Sequence, residues 1–267
     1  MYRRILIPVD EPAEVEPLVR FASQLLEADG EIRVLHVIPT TTIPEVTREW
    51  RASVNIVIPA HEAGAALDVK VDPEVRASTD VTGEILESAE AHSVDAILMT
   101  LRGDRRSRNP FVGHTASAIL HHASCDVLVV NRLALAEDRT QRILVPALHG
   151  VPSPKALQIA EEIAVRNHGI PIITLHLGGA EDASSSPAPT RSPRGVPVHH
   201  HTMFFGASRL GGRGRLPAVI LSQAARERYG LLLVGEERGG EEAPAITRRF
   251  LDELFRDAPC PVIAARG

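Results

Sequence analysis

A chain of 267 residues has room for roughly two domains of about 150 residues each, and its 44% apolar content is enough for ordinary cores. Aromatics make up only 3%, so those cores must be built from small aliphatics, as in parallel α/β sheets. The net charge of −5 excludes a global basic field for nucleic acid, and two cysteines, Cys125 and Cys260, exclude a disulfide framework and point to a reducing compartment. The opening MYRRILIPVDE has too short an apolar run for a signal peptide, and no window approaches the roughly 18 apolar residues of a membrane span. The expectation is a cytoplasmic protein with no membrane span and no nucleic-acid partner.

The run Ile5-Leu6-Ile7-Pro8-Val9, closed by Asp10, reads as a buried parallel strand. Leu18, Phe21, Ala22, Leu25 and Leu26 then fall at i, i+3, i+4, i+7 and i+8, one face of a helix, with Gly30 as its stop. Val34–Pro39 gives a second strand. Thr40–Gly64 reads as a loop and a broken helix near Glu45–Val54, and Val75–Ser78 as a short third strand. Asp80 can cap a helix running to about His92, with Val81, Ile85 and Ala89 inward. Ala96–Met99 is the next strand. Leu101–Val112 is a polar loop carrying Gly103 and Arg102, Arg105, Arg106 and Arg108. After Gly113, the residues Ala116, Ile119, Leu120 and Ala123 mark a helix, and Val127–Val130 a strand. A strand that ends in a glycine loop and opens onto a helix N-terminus is an anion site, because free backbone N–H groups point at the loop.

The pattern then restarts. Arg142-Ile143-Leu144-Val145-Pro146 repeats Arg4-Ile5-Leu6-Ile7-Pro8, and Leu175-His176-Leu177 echoes Leu35-His36-Val37. Leu231–Val234 repeats Ala96–Met99, and Cys260-Pro261-Val262-Ile263 repeats Cys125-Asp126-Val127-Leu128. A period of about 135 residues is a duplicated domain rather than a solenoid. The expected fold is two tandem, doubly wound parallel-sheet α/β domains with flavodoxin-like layering and right-handed crossovers, spanning 1–135 and 140–267 and joined near Leu133–Gln141. In the second half, Ser153-Pro154 starts a helix that Gly169 ends, with Leu157, Ala160, Ile163 and Ala164 on its apolar face. Gly178–Gly195, rich in Ser, Pro, Gly and Ala, reads as a mobile loop in place of the first half's helix. Val196–Phe205 is strand-like and Gly206–Arg215 reads as a flexible basic loop.

Several residues carry two readings. His199, His200 and His201 invite a metal, but successive strand residues alternate faces, so three cannot converge on one ion; a surface or edge strand is favoured. His121 and His122 suit a helix C-terminus. His36 and His176 read as satisfied core histidines, and Cys125 and Cys260 as packing residues. Asp10 either caps the first helix or sits where open α/β sheets bind ligands. Arg105–Arg108 are either solvated or ligand contacts. No nucleophile elbow, zinc-protease helix or P-loop occurs, so an enzyme is the weaker hypothesis.

Duplicated α/β halves, the Ile-Leu-Ile-Pro-Val-Asp opening, the Leu-His-Val strand and the Cys-Asp-Val-Leu-Val-Val ending together resemble a tandem universal stress protein. The resemblance implies an adenine nucleotide alpha hydrolase-like fold and a stress-response role. Members often bind ATP through a G-x2-G-x9-G-[S/T] loop, with an aspartate after the first strand near ribose or adenine. By that resemblance Gly103 and Gly113 are the second and third glycines, Thr100 stands at the first, His114 replaces the following Ser/Thr, and Thr115 comes next. Pro8, Asp10, Val37 and Met99 complete the implied nucleotide site. In the second half Leu148 replaces the aspartate, Gly235 keeps the first glycine, Arg238 stands at the second, and Arg248 and Arg249 stand at the last pair. Glu236, Glu237, Glu241 and Glu242 would repel phosphate. The expectation is a stress-response regulator binding ATP through its N-terminal half only. The alternative is a nucleotide-free interaction or regulatory module acting on an unknown protein partner, and a weak ATPase ranks third. A homodimer is an implication of the resemblance.

Overall fold

In the computed structural model the described residues are 1–39, 50, 53–100, 114–131, 142–147, 152–179, 190–205, 216–236 and 248–266. They fall into two units, one of 1–100 and 114–129, the other of 130–131 and everything from 142 onward.

The first unit runs β1 (Tyr2–Pro8), α1 (Pro12–Ser23), β2 (Leu26–Pro39), α2 (Val54–Leu67), β3 (Lys70–Ser78), α3 (Val81–Ala91), β4 (Ala96–Thr100), α4 (His114–His122) and β5 (Asp126–Val130). Its strand order is β3-β2-β1-β4-β5, the doubly wound pattern expected from the sequence. Parallel pairing of β1 with both β2 and β4 buries Ile5, Leu6 and Ile7 completely. A strand covered on both faces reads as a continuous apolar run for that reason.

Three boundaries differ from the periodicity reading. First, α1 stops at Ser23, not near Gly30: the Gln24 N–H turns back to Phe21 and Ala22, and Leu26 pairs with Tyr2 as the start of β2. The register slips between Tyr2 and Arg4, and Gly30 lies opposite that slip. A Cβ on Gly30 would lie 3.1 Å from the Glu27 carbonyl and 3.2 Å from the Arg3 carbonyl. The glycine serves a close backbone approach rather than a helix stop. Second, a helix runs over Val54–Leu67, beyond the one expected near Glu45–Val54, which lies almost wholly outside the described residues. Residues 40–49 and 51–52 lie outside the described residues. Pro59 and Gly64 break the helical signal, yet a Cβ on Gly64 would come within 2.7 Å of Val71, so this glycine seats the helix on β3. Third, β3 begins at Lys70, five residues before Val75, where the sequence reading starts it. It ends the strand order of this unit, and its charged residues and Pro73 mask the pattern, as suits an edge. Asp80 does cap α3, its Oδ1 accepting from the Gly83 N–H at 2.9 Å.

The second unit runs β6 (Ile143–Ala147), α5 (Pro154–Arg166), β7 (Ile172–Gly179), β8 (Thr190–Arg191), β9 (Pro197–Phe205), α6 (Leu216–Glu227), β10 (Leu231–Glu236), α7 (Arg248–Asp257) and β11 (Val262–Arg266). Its order, β11-β10-β6-β7-β9-β8, is that of the first unit read from the other end, with β8 added antiparallel at the edge. Ser153 caps α5 through Ala156 N–H at 3.3 Å, and Gly169, at φ +74°, closes the helix by donating to the Ala164 carbonyl at 2.8 Å. Ala156, Ile159, Ala160, Ile163 and Ala164 are its buried apolar residues, Glu162 is buried with them, and Leu157 is half-buried.

The expectation of a loop over Gly178–Gly195 needs correction at both ends. Gly178 and Gly179 belong to β7, and Thr190 and Arg191 form β8. Residues 192–195 make a turn, with Gly195 N–H donating to the Ser192 carbonyl at 2.8 Å. The Ser192 hydroxyl and the Arg194 N–H both donate to Glu161 of α5, the latter at 2.7 Å, and Arg194 pairs with Glu162. Residues 180–189 and 206–215 lie outside the described residues.

Candidate functional site

In an open parallel sheet, ligands bind beyond the carboxyl ends of the strands, where the order reverses. In the first unit that place is between β1 and β4. Pro8 ends β1, half-buried, and Asp10 is exposed two residues on. The Val9 N–H donates to the Leu35 carbonyl at 2.9 Å, and the His36 Nδ1 lies 3.0 Å from the Val9 carbonyl. A carbonyl only accepts, so His36 carries its proton on Nδ1. Half-buried rather than central in the core, His36 pins the segment that carries Asp10 against β2. Val37, one residue further, is 6% exposed. Met99, 5% exposed, is the penultimate residue of β4. His114, exposed, and Thr115, half-buried, open α4, whose N-terminus follows β4 at the same edge.

Pro8, Asp10, Val37 and Met99 therefore share the carboxyl ends of three adjacent strands, with His114 and Thr115 starting the next helix. Gly103 and Gly113, with Arg102, Arg105, Arg106 and Arg108, lie outside the described residues.

One pair at this place escaped the sequence reading. Thr100, the last residue of β4, donates its hydroxyl to Glu14 Oε1 at 2.9 Å. Glu14 is 7% exposed, in the first turn of α1. Its signal is in the sequence: Glu14 stands at i on the stripe that continues with Leu18, Phe21 and Ala22, a carboxylate where an apolar residue is expected. Such a group is retained in an interior only with hydrogen-bond partners.

The second unit has the counterpart place between β6 and β10. Here Gly235 occupies the position of Thr100, and Ala156 takes the place of Glu14, each being the third residue of its helix. A Cβ on Gly235 would lie 2.6 Å from the Ala156 Cβ and 2.7 Å from the Ser153 Oγ. No side chain fits there without a shift. The first turn of α5 rests directly on the end of β10. Leu148 and residues 237–247 lie outside the described residues.

The remaining histidines and cysteines resolve into packing and surface positions. His121 and His122 are exposed at the end of α4. His199 and His201 are exposed, whereas His200 points to the other face of β9, with Nδ1 2.7 Å from Thr174 Oγ1 and 3.3 Å from His176 Nε2. Among the described residues no group of three or more His, Cys, Asp and Glu is placed to hold a metal ion. Cys260 is buried and Cys125 half-buried, and neither is in a disulfide. Among the described residues no helix is long and apolar enough to cross a membrane.

The fold has parallels among solved structures. A universal stress protein from Archaeoglobus fulgidus superposes with a TM-score of 0.69 at 17% identity, over 98% of this chain and 97% of that one. The cytoplasmic domain of a prokaryotic cation chloride cotransporter superposes with a TM-score of 0.60 at 12% identity, over 99% and 95%. Both show the architecture. Sequence likeness is stronger over a shorter span: Universal stress protein G of Shigella flexneri is 33% identical over 144 residues, 49% of this chain and 99% of that protein. The family model described as Universal stress protein family matches residues 1–131. With a relative matched along nearly its whole length and the doubly wound order present in both units, the chain belongs to the universal stress protein family.

Proposed function

We propose that this is a regulatory stress-response protein built from two duplicated domains, 1–135 and 140–267, of which the first binds ATP and the second does not. The observation that carries this reading is the contrast at the two strand-order reversals. In the first unit Asp10 is exposed at the mouth, between the ends of β1 and β4, and the α4 N-terminus follows on the same edge. A carboxylate there suits ribose hydroxyls, and a helix N-terminus suits phosphate. In the second unit the corresponding floor is filled by Ser153 and Ala156 against Gly235. Pro8, Asp10, Val37 and Met99 would line the nucleoside side, and Gly103, Gly113, His114 and Thr115 the phosphate side. The chain holds the nucleotide as a ligand rather than a substrate, in keeping with the lack of a catalytic motif in the sequence. A cytoplasmic location and a homodimer belong to the same proposal.

The test is calorimetric titration of Mg²⁺–ATP into the full chain and into Gly113→Arg, which gives the first loop the residue of the second. Binding by the parent, weakened at least tenfold in the variant, is expected. An absence of binding by the parent overturns the reading, and binding unchanged in the variant overturns the placement of the site. A second reading, a nucleotide-free interaction module, is favoured by exposed Trp50, Val54 and Ile58, which follow at four-residue spacing along α2 and just before it. It predicts no heat with ATP and loss of partner capture in Ile58→Asp.

A further inference from the structure

The ladder between β1 and β4 stops short of the candidate site. Its register covers Ile5 with Ala96 and Leu6 with Ile97, whereas β1 continues beside β2 as far as Pro8 with Leu35. Ile7 and Pro8 on one strand, and Leu98, Met99 and Thr100 on the other, lie beyond the last of those two pairs. Asp10 and the end of β4 therefore stand on opposite sides of a crevice outside the ladder, as the reversal of strand order requires. A ligand that bridges the crevice needs its two sides held at a fixed spacing.

The two sides are fixed by different contacts. The Asp10 segment is tied to β2 through Val9, whose N–H donates to the Leu35 carbonyl at 2.9 Å and whose carbonyl lies 3.0 Å from His36 Nδ1. Those bonds lie on the side of β1 away from β4. Glu14, four residues past Asp10 in the first turn of α1, reaches the other way. Its Oε1 accepts the hydroxyl of Thr100, the last residue of β4, at 2.9 Å. Glu14 is buried and Thr100 half-buried. The second unit supplies the contrast. There the register of β6 with β10 likewise covers two pairs, Ile143 with Leu231 and Leu144 with Leu232. The first turn of α5 rests on the end of β10, with Ala156 2.6 Å from a Cβ built on Gly235. Each unit thus joins the third residue of its first helix to the end of the strand across the reversal, one by packing and the other through two polar side chains. The polar version spans the gap without filling it with the helix itself.

We infer that Glu14 is a positioning residue for the nucleotide site: through the Thr100 hydroxyl it ties the end of β4, where the loop to α4 departs, to the helix that begins beside Asp10. The role rests on the nucleotide reading of the first unit. The bond is directional. A hydroxyl has one proton, so pairing with the carboxylate commits that proton to Glu14. Threonine is stiff at χ1, so fixing its oxygen fixes its methyl group and the strand end with it. Glu14 itself is set by α1, whose first turn is closed by the Glu14 N–H donating to the Glu11 carbonyl at 3.0 Å. Asp10 is thereby braced from both directions, by His36 toward β2 and by Glu14 toward β4.

The test is calorimetric titration of Mg²⁺–ATP into the full chain carrying Thr100→Val, Thr100→Ser, Glu14→Ala, or Thr100→Val and Glu14→Ala together. Hydrogen–deuterium exchange of each without nucleotide, corrected for intrinsic rates, accompanies it. Valine keeps the shape of threonine and loses the donor, whereas serine keeps the donor. Thr100→Val is expected to weaken binding by about tenfold, the order of one hydrogen bond to a charged group, and Thr100→Ser by less than about threefold. The double variant should bind no more weakly than Glu14→Ala, because both changes remove the same bond. Without nucleotide, exchange at Met99 and Thr100 should rise in Thr100→Val and stay at the parent rate in Thr100→Ser. Binding unchanged in Thr100→Val, a serine variant as weak as the valine one, or additive losses in the double variant overturns the positioning role and leaves the nucleotide reading standing. No binding by the parent overturns the nucleotide reading and the role with it. If Thr100→Val does not fold, Glu14→Ala binding as tightly as the parent overturns the role equally.

Discussion

Thr100 and Gly235 stand at the same place, the end of the strand that borders the order reversal in each unit, and their surroundings are opposite. Thr100 reaches a buried carboxylate, Glu14, on the first turn of α1. Gly235 has the first turn of α5 pressed on it, with Ala156 and the capping Ser153 both inside 3 Å of where a Cβ would be. Glycine stands where a helix fills the space, and a threonine stands at the mouth of the candidate site. A glycine at a loop start is thus no sign of a phosphate site by itself; what rests on its missing side chain decides.

Exchange of these residues is the sharpest way to break the comparison. Gly235→Thr should destabilise the second unit by about 3 kcal/mol, the upper end of what overpacking costs, measured by urea unfolding. A loss below about 0.5 kcal/mol would mean that α5 does not rest on β10 as described. The reverse change, Thr100→Gly, removes one hydrogen bond to a buried carboxylate and should cost about 1.5–3 kcal/mol in the first unit. The helix caps are next in size. Asp80→Ala in the first unit and Ser153→Ala in the second should each lose about 1 kcal/mol, since each side chain satisfies an orphan N–H. A clearly larger loss in Ser153→Ala would reveal packing against Gly235 beyond the cap. The smallest effect belongs to the strap that only the second unit has: Arg194→Ala should cost about 0.5 kcal/mol, because the arginine is half exposed.

The alternation of strands and helices, the duplication and both helix caps were legible because each rests on local chemistry: apolar runs, a repeated Leu-His, a Ser-Pro and an Asp before a helix. The α2 helix was not, because Pro59 and Gly64 lower its helical signal and its seat on Val71 is a tertiary contact. The end of α1 was misplaced because Leu25 and Leu26 continue the helical period while belonging to a turn and to β2. At the candidate site, Pro8, Asp10, Val37 and Met99 could be placed at strand ends from sequence order alone. Glu14 could not be assigned a partner, since Thr100 lies far along the chain and the bond between them exists only once α1 packs beside β4. The ordered turn at 192–195 was hidden by its Ser-Pro composition, which reads as a linker until Glu161 and Glu162 are seen to receive it.

The contrast between the units makes its most direct claim about stoichiometry. Calorimetric titration of Mg²⁺–ATP into the full chain should saturate at one nucleotide per chain, and Asp10→Ala should weaken that single site. Two sites per chain, or none, would contradict the assignment of binding to the first unit alone.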